Sequence, residues 1–197
     1  MSPGVMTMIC GVARWEPNAR GRLEEAALEL FAERGFEQTT VAEIAERAGL
    51  TKRTFFRYFA DKREVLFGAG KAFQQAFVDS LAEAPADAAP LDAVAVSLFA
   101  GARILQDRRE FARRRQAVIA ANPELQEREL IKLASIAAAL AAGLRARGVA
   151  EPAASLAAEA GIAVFRVAFE RWVAEEAERE LAALIREGLH ELRTVCA

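Results

Sequence analysis

Residues 49–66 read GLTKRTFFRYFADKREVL, and within them Phe55, Phe56, Tyr58 and Phe59 crowd four aromatic rings into five positions among lysines and arginines. Such a mixture suits a polyanion: ammonium and guanidinium groups neutralise phosphates, and an apolar ring can meet a thymine methyl. Between Arg47 and Arg63 stand six cations, Arg47, Lys52, Arg53, Arg57, Lys62 and Arg63, against one acid, Asp61. The whole chain carries a formal net charge of -2, so contact with nucleic acid has to come from this local excess and not from the average.

The elements that must hold those side chains follow from periodicity. At about 100° per residue, Phe55 and Phe59 share one helix face while Arg53 and Arg57 leave from the opposite one, with Thr54 and Tyr58 on the flank. The inward pair joins a core with Leu30, Phe31, Val41, Ile44 and Ala45. A first helix is expected over residues 18–34, where Leu23, Ala27, Leu30 and Phe31 repeat at three and four, and Gly35 ends it. Thr40 with Glu43 forms a capping box for a second helix, Thr51 caps a third, and Asp61 with Glu64 opens a fourth. That fourth helix is expected to run through Leu66, Gly70, Phe73, Phe77 and Leu81 until Pro85 and Pro90 break it. Ala45, four residues before Gly49, supplies the small crossing residue and tight turn of a helix-turn-helix, whose second helix lies in the major groove of DNA.

Beyond Pro90 the pattern is helical throughout, over residues 91–106, 109–120, 123–147, 153–174 and 178–195, with Asn122 and Pro123 as a strong start signal. The fold expected is all-α, about nine helices: a three-helix DNA-binding domain over 18–67 followed by a larger helical domain over 68–197. Residues 1–17 read as a flexible arm, too short in apolar content to span a bilayer and without a charged leader. No later window is free of charge for long enough to cross a membrane. Cys10 and Cys196 lie at opposite ends and His190 is the one histidine, so neither a disulfide framework nor a zinc site is expected, no metal or cofactor is called for, and a reducing cytoplasm fits. One histidine and no glycine-rich phosphate loop remove most enzymatic options. A helical enzyme or an adaptor without specific DNA binding stands as the rival reading.

The segment TTVAEIAERAGLTKRTFFRYFADKREVL resembles the DNA-binding region of the tetracycline-repressor (TetR) family of one-component transcription regulators, over residues 20–77. The resemblance implies phosphate contacts from Thr40, Thr51, Tyr58 and Lys62, base-edge contacts from Lys52, Arg53 and Thr54, and either role for Arg57. Phe56 stands where the family often has tyrosine, so a hydroxyl contact to phosphate is replaced by an apolar one. Arg63 replaces a common glutamate and adds a cation. The resemblance further implies a homodimer on a palindromic operator, a small-molecule effector, and repression by default with activation left open.

Phe73, Phe77, Phe99, Ile119, Phe165 and Phe169, with Arg115, are candidates to line an effector cavity and together favour a lipophilic effector; ordinary packing is the alternative for each. The run RREFARRRQ, residues 108–116, either grips a phosphate or carboxylate or forms a solvated face balanced by Glu124, Glu127 and Glu129. Together with NPELQERELIKL it resembles members of the family that respond to acyl-coenzyme A thioesters. Trp172, Leu181, Leu184, Ile185, Leu189 and Leu192 offer more apolar surface than two peripheral helices should expose, which points to a dimer interface; closing the subunit core is the alternative.

Overall fold

The computed structural model describes residues 18–68, 70–177 and 179–196. The arm expected over residues 1–17, Cys10 included, lies outside the described residues. Among those described there are ten α-helices: α1 Ala19–Arg34, α2 Val41–Arg47, α3 Lys52–Tyr58, α4 Glu64–Phe67, α5 Gly70–Ala82, α6 Pro90–Gln106, α7 Arg109–Ala120, α8 Pro123–Ala146, α9 Ala153–Ala174 and α10 Leu181–Val195. No helix among them is long and apolar enough to cross a membrane.

Local chemistry sets the first boundaries. Asn18 accepts a hydrogen bond from the Gly21 amide at 3.1 Å to open α1, and Gly35 closes it at φ 83. The Thr40–Glu43 capping box forms in both directions, and Thr51 accepts from the Thr54 amide to start α3. Between α2 and α3, Gly49 takes φ 67, a conformation that strains residues with a Cβ.

The expected fourth helix is divided, which turns nine segments into ten. Gly68 follows α4, and a Cβ there would lie 2.8 Å from the Arg20 guanidinium and from the Phe59 ring and 2.9 Å from the Glu64 carbonyl. The chain passes α1 and the end of α3 too closely there for any larger residue. The Asp61 carboxylate still accepts from the Glu64 amide at 2.9 Å, as the cap pattern predicts.

Two apolar clusters hold the chain together. One gathers Leu23, Leu30, Phe31, Ile44, Phe55, Phe59 and Leu66 and is completed by Val118, Ile119 and Leu125 from α7 and α8. The other joins α5, α6, α8, α9 and α10 around Phe77, Leu98, Leu140, Phe165 and Trp172. The N-terminal helices are therefore seated on α7 and α8 by shared side chains. Residues 134–142 split between the two environments: Ala137 and Ala141 are buried, while Ala134, Ala138 and Ala142 face outward.

The dimer-interface expectation needs correction. Trp172, Leu181, Leu184 and Ile185 are 0% exposed and Leu189 4% exposed within the single chain, and α10 packs on α6 and α9. A side chain already covered by its own chain has no surface left for a second copy. Leu192 is half-buried against the same cluster. The apolar stripe of α10 closes the subunit, and the side chains that α9 leaves outward include Leu156 at 65% exposure, Ala163 and Val167 beside the charged Glu159, Arg166, Glu170 and Arg171.

Candidate nucleic-acid interface and effector cavity

The three-helix head sorts its cations. Phe55 and Phe59 are buried beneath α3, their rings 5.4 Å apart, and they fix the helix so that Lys52, Arg53, Phe56, Arg57 and Tyr58 all face solvent. Lys52 sits over the Phe56 ring, Nζ 5.9 Å from the centroid. The Arg57 guanidinium lies 5.0 Å from the Tyr58 ring centroid and donates to its hydroxyl at 3.2 Å. Thr51 and Thr54 hydroxyls are 3.0 Å apart at the start of the same helix. These side chains make one exposed ridge; Thr40, at the start of α2, is exposed too, its hydroxyl donating to Glu43 at 2.8 Å.

Three of the six cations counted in the sequence are engaged by partners within the chain, two of them at its surface. Arg47 forms a double hydrogen bond with Glu33, at 2.9 Å each, and reaches Glu29. Arg63 lies between Asp61 at 3.7 Å and Glu124 at 3.5 Å, turned toward α8. Lys62, expected at a phosphate, donates to the Phe36 carbonyl at 2.6 Å and rests 4.1 Å from the Phe36 ring centroid, which ties the α3–α4 turn to the α1–α2 turn. The outward excess belongs to Lys52, Arg53 and Arg57.

A cavity of about 590 Å³ opens where the head meets the larger part of the chain. Of the candidate effector residues, Phe73, Ile119, Phe165, Phe169 and Arg115 line it, whereas Phe77 and Phe99 do not. Phe77 is fully buried, wedged between Phe73 and Phe165 with ring centroids 4.9 and 5.6 Å away. Phe99 turns to the far side, 5.8 Å from the Arg186 guanidinium. The expected residues are joined by Glu24 from α1, Leu66 from α4, Arg108 from the α6–α7 turn, and Glu129 and Lys132 from α8. These were not legible from the sequence, because the contacts are made across long separations.

The arginine run is neither a free anion grip nor a solvated face. Arg109 and Arg113 donate to the Trp172 and Val173 carbonyls at 2.8–3.0 Å, satisfying orphan carbonyls at the negative end of α9. Arg108 donates to the buried Glu24 carboxylate at 3.0 Å, which also accepts from Arg20 at 3.1 Å, and Arg114 pairs with Glu25. Arg115 donates to the Leu66 carbonyl at 2.7 Å and clasps Glu129 through two hydrogen bonds of 3.1 and 2.7 Å. One helix thus ties α1, α4, α8 and α9 together along the cavity wall.

Electrostatics at this wall are unusual. Burial works to raise the Glu129 carboxyl, yet Arg115 and then Lys132 outweigh it and hold the group below the ordinary glutamate range. Burial pushes the Lys132 ammonium down to about 8, and Arg115 presses the same way while Glu129 opposes. The folded value lies below the unfolded one, so the charged amine costs stability below pH 8, and that cost lifts as pH rises from about 8 toward the ordinary lysine value. Lys132→Met, keeping the stem without the charge, should gain on the order of 1–3 kcal/mol near neutral pH, read as a raised urea midpoint that converges on wild type above pH 10.

An all-helical chain with a helix-turn-helix at one end, an outward cationic ridge on its second helix and an internal cavity adjoining it has the architecture of a one-component regulator. The chain belongs to the tetR family of bacterial regulatory proteins: that family's model matches residues 23–69, and the MftR C-terminal domain matches residues 88–197. It is 45% identical over 75 residues to the HTH-type transcriptional regulator TcmR of Streptomyces glaucescens, covering 38% of this chain and 33% of that one. It is 30% identical over 115 residues to the putative mycofactocin biosynthesis transcriptional regulator MftR of Mycobacterium tuberculosis, covering 58% of each. The chain thus spans a third to somewhat over half the length of these relatives. Its fold is shared with Thermus thermophilus FadR, a TetR family transcriptional repressor solved with lauroyl-CoA, at 23% identity and TM-score 0.53 over 88% of this chain and 93% of that one.

Proposed function

We propose that this chain is a ligand-responsive transcription regulator of the cytoplasm. In this reading it is a repressor that holds a palindromic operator as a homodimer and is released by a small amphiphilic effector of the acyl-thioester class. The observation that carries the DNA-binding part is the ridge of Lys52, Arg53, Phe56, Arg57 and Tyr58, held outward by the buried Phe55 and Phe59. Residues 18–67 serve as the reading head and residues 68–197 as the effector and dimerisation part. One such ridge makes few contacts, and two held about 34 Å apart read successive turns of the duplex. The pairing of two copies is assigned to the outward face of α9, which exposes Leu156, Ala163 and Val167.

The effector class is supported by the cavity itself: aromatic and aliphatic walls from Phe73, Phe165, Phe169, Ile119 and Leu133 beside Arg108, Arg115 and Lys132. Such a lining suits a long apolar chain with a polar or anionic end. The lauroyl-CoA held by the Thermus relative makes that molecule a practical first probe. Release follows from linkage. Glu24 and Leu66 belong to the head, Arg108 and Arg115 to the α7 region, and all four line the cavity. An occupant that favours one arrangement of these contacts changes DNA affinity by the factor by which DNA changes its own.

The test is binding to duplexes selected from genomic fragments, followed by anisotropy titration over a range of salt. Lys52→Ala is expected to weaken every duplex and lower the salt slope by about one, whereas Arg53→Ala should cost about 1–3 kcal/mol at one base position. Retention of no duplex at moderate ionic strength would end the proposal, and a helical enzyme or adaptor would then be the reading to pursue.

A further inference from the structure

Of the 26 basic residues, four are lysine: Lys52, Lys62, Lys71 and Lys132. Arginine cannot lose its proton under ordinary conditions, whereas lysine can become a nucleophile. A lysine on the cavity wall of a chain that otherwise prefers arginine therefore has distinct chemistry. Lys132 Nζ lies 5.7 Å from the Phe67 ring centroid, and the Arg115 and Arg128 guanidinium groups face the same ring at 5.0 and 5.5 Å. Three cations gather round one aromatic ring. Glu129, one turn away on α8, is clasped by Arg115, and Arg128 is paired with Glu64. Among the described residues no carboxylate lies within ion-pairing distance of Lys132 Nζ. The amine is crowded by like charge, half-buried, and set in the wall of an apolar cavity.

We propose that Lys132 is an acyl acceptor: a long-chain acyl thioester lodged in the cavity transfers its acyl group to Lys132 Nζ, turning reversible occupancy into a covalent mark. The inference rests on the acyl-thioester reading of the cavity given above. The neutral amine attacks the thioester carbonyl carbon and forms a C–N bond. The C–S bond then breaks and its electron pair leaves on sulfur. The proton released from nitrogen passes to the thiolate, giving an amide and a free thiol, with nothing oxidised or reduced. Arg115 and Arg128 supply positive charge near the carbonyl oxygen as it gains negative charge. Acylation also removes one of the three crowded cations, so the occupied arrangement outlasts the free effector.

The depressed titration of this amine near 8 gives the experiment its signature. Full-length protein is incubated with lauroyl-CoA from pH 7 to 10, adducts are followed by intact mass and peptide mapping, and release of a selected duplex is measured in parallel. One lauroyl group per chain is expected, on Lys132, forming about tenfold or more faster at pH 7.5 than on Lys52 or Lys62, because Lys132 lines the cavity that holds the thioester and the other two do not. The rate should level off above about pH 8, Lys132→Arg should take no adduct at that site, and lauric acid should give none with any variant. Release of DNA without an adduct, or adducts formed at equal rates on Lys52, Lys62 and Lys132, overturns the proposal and leaves the effector reading intact. Neither release nor adduct sinks both together.

Discussion

Phe55→Ala is expected to unfold the reading head, at a cost of about 3–5 kcal/mol. Its ring is fully buried, stands 5.4 Å from Phe59 and 5.6 Å from Phe56 by centroid, and belongs to the cluster that also seats Leu23, Leu30 and Ile44. Removing it leaves a void that the surrounding helices fill only partly, against a total stability of roughly 5–15 kcal/mol for a domain. Phe56→Ala is the matched control. That ring is 49% exposed, so its loss should change stability by less than about 0.5 kcal/mol while weakening duplex binding. Urea denaturation followed by circular dichroism, with anisotropy on a labelled duplex, separates the two. An unchanged unfolding midpoint for Phe55→Ala would mean that α3 is not anchored through this ring, and the ridge argument would fail with it.

Glu129→Gln should cost about 3–5 kcal/mol and uncouple the effector from DNA, because breaking a largely buried pair strands its partner. The Arg115 and Glu129 side chains are 13% and 22% exposed, so solvent screens them little. Without the carboxylate, Arg115 keeps the Leu66 carbonyl but loses its clasp on α8, and Lys132 loses the acid that opposes its deprotonation. The pH dependence has a definite sign. Glu129 is held below its ordinary value in the folded chain, so its contribution is complete above the unfolded value and disappears as pH falls through the folded one. The stability gap between wild type and variant should therefore be full at pH 6–7 and shrink below about pH 4. A gap independent of pH would show that the loss is one of packing, and lauroyl-CoA release equal to wild type would show that this clasp carries no signal.

Sequence alone determined the head and the helical class. Caps such as Thr40 with Glu43, stops such as Gly35 and Gly49, and the opposed faces of α3 all act within three or four residues, where helix geometry leaves few choices. The spacing of Phe55, Phe59, Arg53 and Arg57 was enough to say which side faces inward. It was not enough to say which cations stay free. Arg47, Lys62 and Arg63 reach carboxylates or carbonyls that only the fold brings near.

The tertiary structure decided the rest. The stripe of α10 is apolar whether a second copy or its own chain covers it, and packing on α6 and α9 buries Leu181, Leu184, Ile185 and Leu189 within the chain, as Trp172 of α9 is buried. The arginine run had several partners open to it until α7 lay between the end of α9 and the head. Lys132 and Glu129 are ordinary surface letters on a helix, and they became a charge-crowded cavity wall only when Arg115 and Phe67 were brought against them. Periodicity specifies a face; which partner covers that face is a matter of contacts many residues apart, and no local spacing encodes them.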